Sequence, residues 1–342
     1  MKINYSDFER RKQAHVQLAL LDKNQARESH ALDAFHLLHE AMPDLNHDEV
    51  NLVTQRFGQA VPNPFLISSM TAGHEQAPLI NRHLMEAAAR SGWSMGVGSQ
   101  RRELFDKDAA FEWNSLRRDF PDVQLLSNIG MAQLIEFPVD AILKLAENIN
   151  AHAIIIHCNP LQEMLQPEGT PYFKGCWQAL EHLVKQSMLP IVVKETGCGF
   201  SLATLKRLNN TGVAAVDVSG LGGTHWGRIE GCRAPSGSLA EQAAITFKNW
   251  GNNTLTSVVD AASLGGQFEV WGSGGVRHGL DAAKLLALGA TTVGFAKPLL
   301  AEALHSAEAV YEVMQRIEYE LKIAMFCTGS RVISELKEKA CR

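Results

Sequence analysis

A lysine closes one of the most apolar stretches of this sequence: Ile191-Val192-Val193 runs straight into Lys194-Glu195. A charge at the end of a buried run can be a Schiff-base amine, a partner for an anionic cofactor ring, or a salt-bridged core lysine. Residue type leaves all three open. Two glycine clusters, Gly222-Gly223-Thr224 and Gly274-Gly275, together with Ala296-Lys297, suit a phosphate, because bare backbone lets N–H groups approach its oxygens. Gln162-Glu163, with Glu168 soon after, offers carboxylates for a Mg2+ that bridges to a substrate phosphate. Arg11, Lys12 and His15 could clamp a diphosphate, although the same spacing describes a solvated helix face. His36 and His39 are helically spaced but lack a third metal ligand, and they read as surface. GxSxG, HExxH, CxxC and Walker A patterns are absent, and so is a clean GxGxxG.

The elements that must position these residues alternate. Short apolar strands are expected at 65–69, 93–97, 123–128, 153–157, 190–194, 213–218, 268–271 and 291–295. Helices are expected at 77–91, 133–149, 175–188, 201–210, 238–249 and 281–288, with a long one after Pro298. Strands that are apolar throughout belong to a sheet covered on both faces. Eight of them joined by helices predict one (β/α)8 TIM barrel over 63–342; a doubly wound open sheet is the alternative. Residues 1–62 read as an N-terminal extension that contributes substrate-binding residues, with a helical stripe over 31–42 and a short strand over 50–57. Chemistry in a barrel belongs at the carboxyl ends of its strands. The chemistry-bearing residues above, apart from those of the extension, fall there, and the opposite strand ends are bland.

The chain has 342 residues, 46% of them apolar, enough to bury a large core and to exclude a disordered or fibrous protein. A net charge of −5 without a basic block argues against a nucleic-acid partner. No apolar run approaches the roughly 18 residues of a membrane span. The first twenty residues lack the apolar core of a secretory signal, and the six scattered cysteines (158, 176, 198, 232, 327 and 341) read as reduced thiols, so a cytoplasmic location is expected.

At the strand ends the sequence resembles the FMN-dependent type 2 isopentenyl-diphosphate isomerases over nearly its whole length. The motifs run in family order: Arg11-Lys12-Gln13-Ala14-His15, Met70-Thr71-Ala72-Gly73, Val97-Gly98-Ser99-Gln100-Arg101 and Ser127-Asn128-Ile129-Gly130. His157-Cys158-Asn159-Pro160-Leu161-Gln162-Glu163, Gln166-Pro167-Glu168-Gly169, Val193-Lys194-Glu195, Val218 through Thr224 and Ser273 through Arg277 complete the set. Ala72 stands where the family usually has glycine, His225 where serine is usual, and Thr170-Pro171 where an acidic-basic pair is usual.

The resemblance implies FMN held by Thr71, Ala72, Gly73, Ser99, Asn128, Lys194, Thr224, Gly274, Gly275, Ala296 and Lys297. It implies a diphosphate substrate held by Arg11, Lys12, His15, Ser99, Gln100 and Arg101, with Asn159 and Gln162 facing it. Glu163 would help hold Mg2+. Gln162 would be the protein group closest to the chemistry, which falls mainly on reduced FMN, with NADPH as reductant. A homo-oligomer, tetramer or larger, is implied as well. The rivals are an FMN-dependent 2-hydroxy-acid oxidase or dehydrogenase, for which His225 and Arg228 supply a base and a carboxylate grip, and a non-catalytic flavin- or phosphate-binding barrel.

Overall fold

The computed structural model describes residues 5–340. Eight parallel strands close a barrel: β1 (Phe65–Ile67), β2 (Ser94–Gly96), β3 (Leu125–Gly130), β4 (Ala153–Cys158), β5 (Ile191–Glu195), β6 (Ala215–Asp217), β7 (Glu269–Gly272) and β8 (Thr292–Phe295). They pair in chain order, and β8 closes on β1 through Val293↔Phe65 and Phe295↔Ile67. The expected barrel is therefore found, with the strands trimmed by a residue or more at most of their ends.

Side chains alternate across each strand, so one inner position fixes the rest. Leu66, Leu126, Ile155, Val192, Ala215 and Trp271 form a small apolar cluster inside the barrel. Ile154, Ile156, Val193 and Val216 belong instead to the larger core between strands and helices. Two residues beyond the inner layer, on the same face and toward the carboxyl ends, come Ser68, Asn128, His157, Lys194, Asp217 and Ser273. The period of two thus carries the polar residues into the barrel mouth. The other end is plugged by a hairpin, Thr54–Arg56 with Gln59–Val61. Its buried Arg56 donates to Ser94 Oγ, to Thr292 Oγ1 at 3.2 Å and to the Phe65 carbonyl at 3.2 Å, while Phe57 packs on Trp271.

Several helices differ from expectation. Residues 31–42 hold only a short 3-10 turn, Ala31–Ala34; beyond it the chain runs extended and bonds to the C-terminal segment, with Leu38 N–H on Lys339 O and Glu40 N–H on Cys327 O. The strand expected over 50–57 shrinks to Thr54–Arg56. The helix over 133–149 is two, Met131–Glu136 and Val139–Asn148, because Pro138 cannot continue the first. A helix does carry Arg11, Lys12 and His15, Tyr5–Leu20, whereas the helices Phe111–Asp119, Trp226–Arg233 and Thr254–Ser263 were not anticipated. The long stretch after Pro298 splits into Lys297–Ala303 and Ala307–Cys327.

Candidate active site

The barrel mouth opens into a cavity of about 610 Å³. Its floor is an ion-paired triad. Lys194, 6% exposed, donates to Asp217 Oδ2 at 2.6 Å and to Ser273 Oγ at 2.9 Å, and Ser273 Oγ donates to Asp217 Oδ1 at 2.6 Å. Lys194 and Asp217 face each other across β5 and β6, so the sheet register sets their geometry. The ion pair removes the Schiff-base option: Asp217 holds the amine as a cation, while the lysine still lines the cavity.

Beside the triad stands His157. Asn128 Nδ2 donates to the Val97 carbonyl at 3.1 Å, which turns Asn128 Oδ1 toward His157 Nδ1 at 2.9 Å. His157 therefore carries its proton on Nδ1 and leaves Nε2 as an acceptor. Burial, helped by Lys12, Lys194 and Arg101, pushes its pKa down to about 3, so the ring is neutral.

Next to Ser273 of the triad, two glycine loops meet backbone to backbone. A Cβ on Gly223 would lie 2.5 Å from Gly275 N, and one on Gly275, at φ +80°, would lie 2.5 Å from the Gly222 carbonyl. The N–H groups of Gly274 and Gly275 meet no acceptor among the described residues. Lys297, at the exit of β8, borders the same space.

The helix Tyr5–Leu20 roofs the cavity and puts Phe8, Arg11, Lys12, His15 and Val16 into its wall. Arg11 and His15 are buried, not solvated. Arg101 joins Arg11 and Lys12 there, and among the described residues none of the three has a carboxylate within ion-pair distance. Arg11 Nε is buried without a partner. Lost hydration, then the charges of Arg11 and Arg101, push the Lys12 ammonium down to about 7. His15 Nε2 meets Glu230 Oε1 at 2.8 Å. Burial holds His15 at about 4, so it is neutral and donates. Burial alone would raise Glu230, but hydrogen bonds from His15 and Gln162 and the charge of Arg233 keep it below the usual carboxylate range. Gln162 Nε2 donates to Glu230 Oε1 at 3.1 Å, and its Oε1 accepts from Asn159 Nδ2 at 2.9 Å. Asn159 also donates to Glu163 Oε1 at 3.1 Å, and the Thr170 N–H donates to Glu163 Oε2 at 2.5 Å.

Comparison with known proteins follows this geometry. Residues 161–342 match the family model of FMN-dependent dehydrogenases. Isopentenyl-diphosphate delta-isomerase from Legionella pneumophila (strain Paris) is 62% identical over 341 residues, all of both chains. The enzyme of the same name from Bdellovibrio bacteriovorus is 50% identical, covering 98% of this chain and 97% of that one. The chain belongs to the isopentenyl-diphosphate delta-isomerase family. Among solved structures, a mandelate oxidase variant overlays with a TM-score of 0.68 at 17% identity, over 99% of both chains, and a flavocytochrome b2 variant with 0.66 at 19%, over 98% of this chain and 85% of that one. Those two likenesses concern the fold alone.

Most residues that the isomerase resemblance singles out line the cavity: Arg11, Lys12, His15, Thr71, Ser99, Arg101, Asn128, Asn159, Gln162, Glu163, Lys194, Thr224, Gly274, Gly275, Ala296 and Lys297. Three do not. Ala72 and Gly73 line an adjoining cavity of about 630 Å³, and Ser99 borders both. Gln100 is 1% exposed and its amide is already engaged: Oε1 accepts from Ser127 Oγ at 2.5 Å and from Asn128 N–H at 3.2 Å, and Nε2 donates to the Leu145 carbonyl and to Glu103. Its amide oxygen holds the Asn128 backbone, and the residue borders the adjoining cavity with Ala72 and Gly73. Glu168 pairs with Arg233 at 3.0 Å.

The base and grip required by a hydroxy-acid oxidase are also displaced. His225 is fully buried, accepts the Arg228 N–H at the start of the helix Trp226–Arg233, and sits 3.2 Å from the Trp250 carbonyl. Arg228 is engaged by Glu28, Asn249 and the carbonyls of Gln25 and Lys248. Neither lines the cavity. His157 and Ser273 stood in the strand-end motifs without an assigned role, and Asp217 and Glu230 were missed from the sequence. Asp217 was accessible from the period of two, whereas Glu230 lies 215 residues from His15 and carries no local signal.

Proposed function

We propose that this chain interconverts isopentenyl and dimethylallyl diphosphate by a 1,3-allylic proton shift, with reduced FMN at the barrel mouth, and so serves isoprenoid biosynthesis. One observation carries the reading beyond family membership. Arg11, Lys12 and Arg101 converge on the cavity that holds Lys194 and the paired glycine loops, and no carboxylate of the described chain is within ion-pair distance of them. Such a wall fits a polyanion. The donor set fits FMN as well: unpartnered N–H groups at Gly274 and Gly275, a lysine cation in the floor, and hydroxyls and amides at Thr71, Ser99 and Asn128.

Reduced FMN, when bound, supplies an electron-rich ring suited to giving and taking a proton at an alkene, a carbon base that a carboxylic acid at neutral pH serves badly. The protein's own groups do the rest. Arg11, Lys12, His15, Ser99 and Arg101 hold the diphosphate and thereby fix the short hydrocarbon tail. Lys194, oriented by Asp217 and Ser273, favours an anionic ring over the floor. Phe8, Val16, Met70, Trp226 and Leu300 wall off water around the tail. His157 stays neutral, so it adds no cation beside Lys194 against a developing positive charge. Gln162, held between Asn159 and Glu230, presents its amide toward the substrate in one orientation.

The described residues contain no cluster of three or more His, Cys, Asp or Glu able to hold a metal. Mg2+ therefore fits as an ion brought by the diphosphate and gripped by Glu163. The isomerisation itself involves no net redox change, so NADPH serves only to reduce the flavin. Residues 1–62 complete the substrate site, the enzyme works in the cytoplasm, and it assembles as a homo-oligomer. No helix among the described residues is long and apolar enough to cross a membrane.

The test is turnover. Protein with FMN, NADPH, Mg2+ and isopentenyl diphosphate forms the dimethylallyl isomer, and the same mixture with oxidised flavin does not. Absence of the isomer under reducing conditions, or its formation with oxidised flavin, overturns the reading.

A further inference from the structure

The N-terminal extension does more than roof the cavity with one helix. After Leu20 it crosses the two glycine loops and is stitched to them: Ala26 N–H donates to Gly223 O at 2.8 Å, and His225 N–H donates to Asn24 O at 2.9 Å. Further along, Lys284 Nζ donates to Leu32 O at 2.7 Å, and Asp33 pairs with Arg277. This stitching drives one side chain, His30, into the wall of the mouth cavity beside Gly222 and Gly275. Its side chain is only 4% exposed.

The ring has two different ends. Nε2 lies 2.7 Å from the Gly275 carbonyl, which can only accept, so Nε2 carries a proton. Nδ1 is buried with no hydrogen-bond partner; the nearest carboxylate oxygen, Asp33 Oδ2, is 3.8 Å away, beyond hydrogen-bond reach. A buried imidazole nitrogen without a partner is costly unless a ligand supplies one. The cavity it lines also holds groups that suit a phosphate: the free N–H groups of Gly274 and Gly275, and Arg27, Arg277 and Lys297. Asp33 and Asp22 are the acids packed near the strap; they pair with Arg277 and with Lys297 and Arg27, so their charge is already engaged.

We propose that His30 is a ligand of the flavin phosphate, contributed by the N-terminal extension and not by the barrel. With Nε2–H fixed on Gly275, Nδ1 is the ring nitrogen left to meet a phosphate oxygen. This inference rests on the reading of the mouth as an FMN site and adds a residue to it.

The test compares FMN with riboflavin, which lacks the phosphate. Dissociation constants of both are measured by quenching of flavin fluorescence on the apoprotein, for the natural chain and for His30→Gln and His30→Ala. The glutamine can still donate to Gly275 O, so it preserves the stitching. Thermal unfolding of the apo variants checks that both fold. Loss of a charge-assisted hydrogen bond is expected to weaken FMN roughly ten- to a hundredfold in both variants, with riboflavin unchanged. Equal weakening of FMN and riboflavin would make His30 a strut of the strap and overturn the proposal, as would an unchanged FMN constant in both variants. If the natural chain itself bound riboflavin as well as FMN, the phosphate reading of the glycine loops would fall first, a result distinct from either.

Discussion

Lys12 gives the sharpest solution test. In the free protein its ammonium is pushed down to about 7, first by lost hydration and then by Arg11 and Arg101. At neutral pH about half the molecules therefore present a neutral amine to the cavity. A diphosphate brought against it supplies the missing counter-charge and restores the amine toward its ordinary value of roughly 10.4. The sign follows from linkage. Binding takes up a proton wherever the free amine is neutral and the bound one charged, so affinity falls as pH rises above 7. The slope approaches a factor of ten per pH unit, so dimethylallyl diphosphate is expected to bind about fiftyfold more weakly at pH 9 than at pH 7, and about a hundredfold more weakly than well below pH 7. The ligand's own last ionisation, near pH 6 for a phosphate, lies below this window and does not mask it. In Lys12→Arg the cation persists throughout, and the profile should be flat between pH 7 and 9. Isothermal titration of both proteins at constant ionic strength, in two buffers at pH 8, gives the constants and the proton count. Parallel profiles for the two proteins, or no proton uptake by the lysine enzyme, would refute the reasoning.

Glu163→Gln is expected to raise the Mg2+ concentration needed for half-maximal turnover while flavin stays bound; flavin loss on gel filtration would contradict the assignment. Lys194→Ala is expected to lose flavin, read from the ratio of absorbance at 450 nm to that at 280 nm, roughly the spectral maxima of bound flavin and protein. Asp217→Ala strands Lys194 as a buried charge and is expected to cost about 3–5 kcal/mol of stability in urea titration, more than Lys194→Ala, which takes the cation away. Gly275→Ala puts a Cβ 2.5 Å from the Gly222 carbonyl at φ +80°, so loss of FMN affinity with retained helical content is expected by circular dichroism and fluorescence titration.

The barrel was legible because its strands and helices alternate in the chain, and the closed order β1 to β8 demands nothing beyond neighbour pairing. The glycine loops were legible because bare backbone has few other uses at a strand exit. The floor was only half legible. Asn128, His157 and Ser273 were placed at the strand ends, but reading the strands as uniformly apolar hid Asp217, although Ala215 and Asp217 differ by one step of a period of two. The roof was misread for another reason. Tyr5–Leu20 buries Phe8, Arg11, His15 and Val16, one helical stripe in which half of the buried positions are cationic or titratable. A search for an apolar stripe cannot find such a helix, because half of its buried face is charged or titratable, with His15 bonded to Glu230.

The same logic explains the opposite error over 31–42. There the apolar spacing is helical, at 32, 35, 38 and 42, yet beyond Ala34 the chain is extended, because residues 37–40 take their hydrogen bonds from the C-terminal segment around 327–340. Amphipathic spacing reports which residues can be buried together, and a long-range edge can outbid a local helix when it satisfies the same backbone groups. The extension is thus fastened at several places along its length: to the C-terminus by residues 37–40, to the glycine loops by residues 24–33, and to Glu230 by His15. A segment fastened in that way has one resting position over the mouth. That is what a clamp of Arg11, Lys12 and His15 needs, since three flexible side chains hold a diphosphate tightly only when the backbone beneath them is already placed.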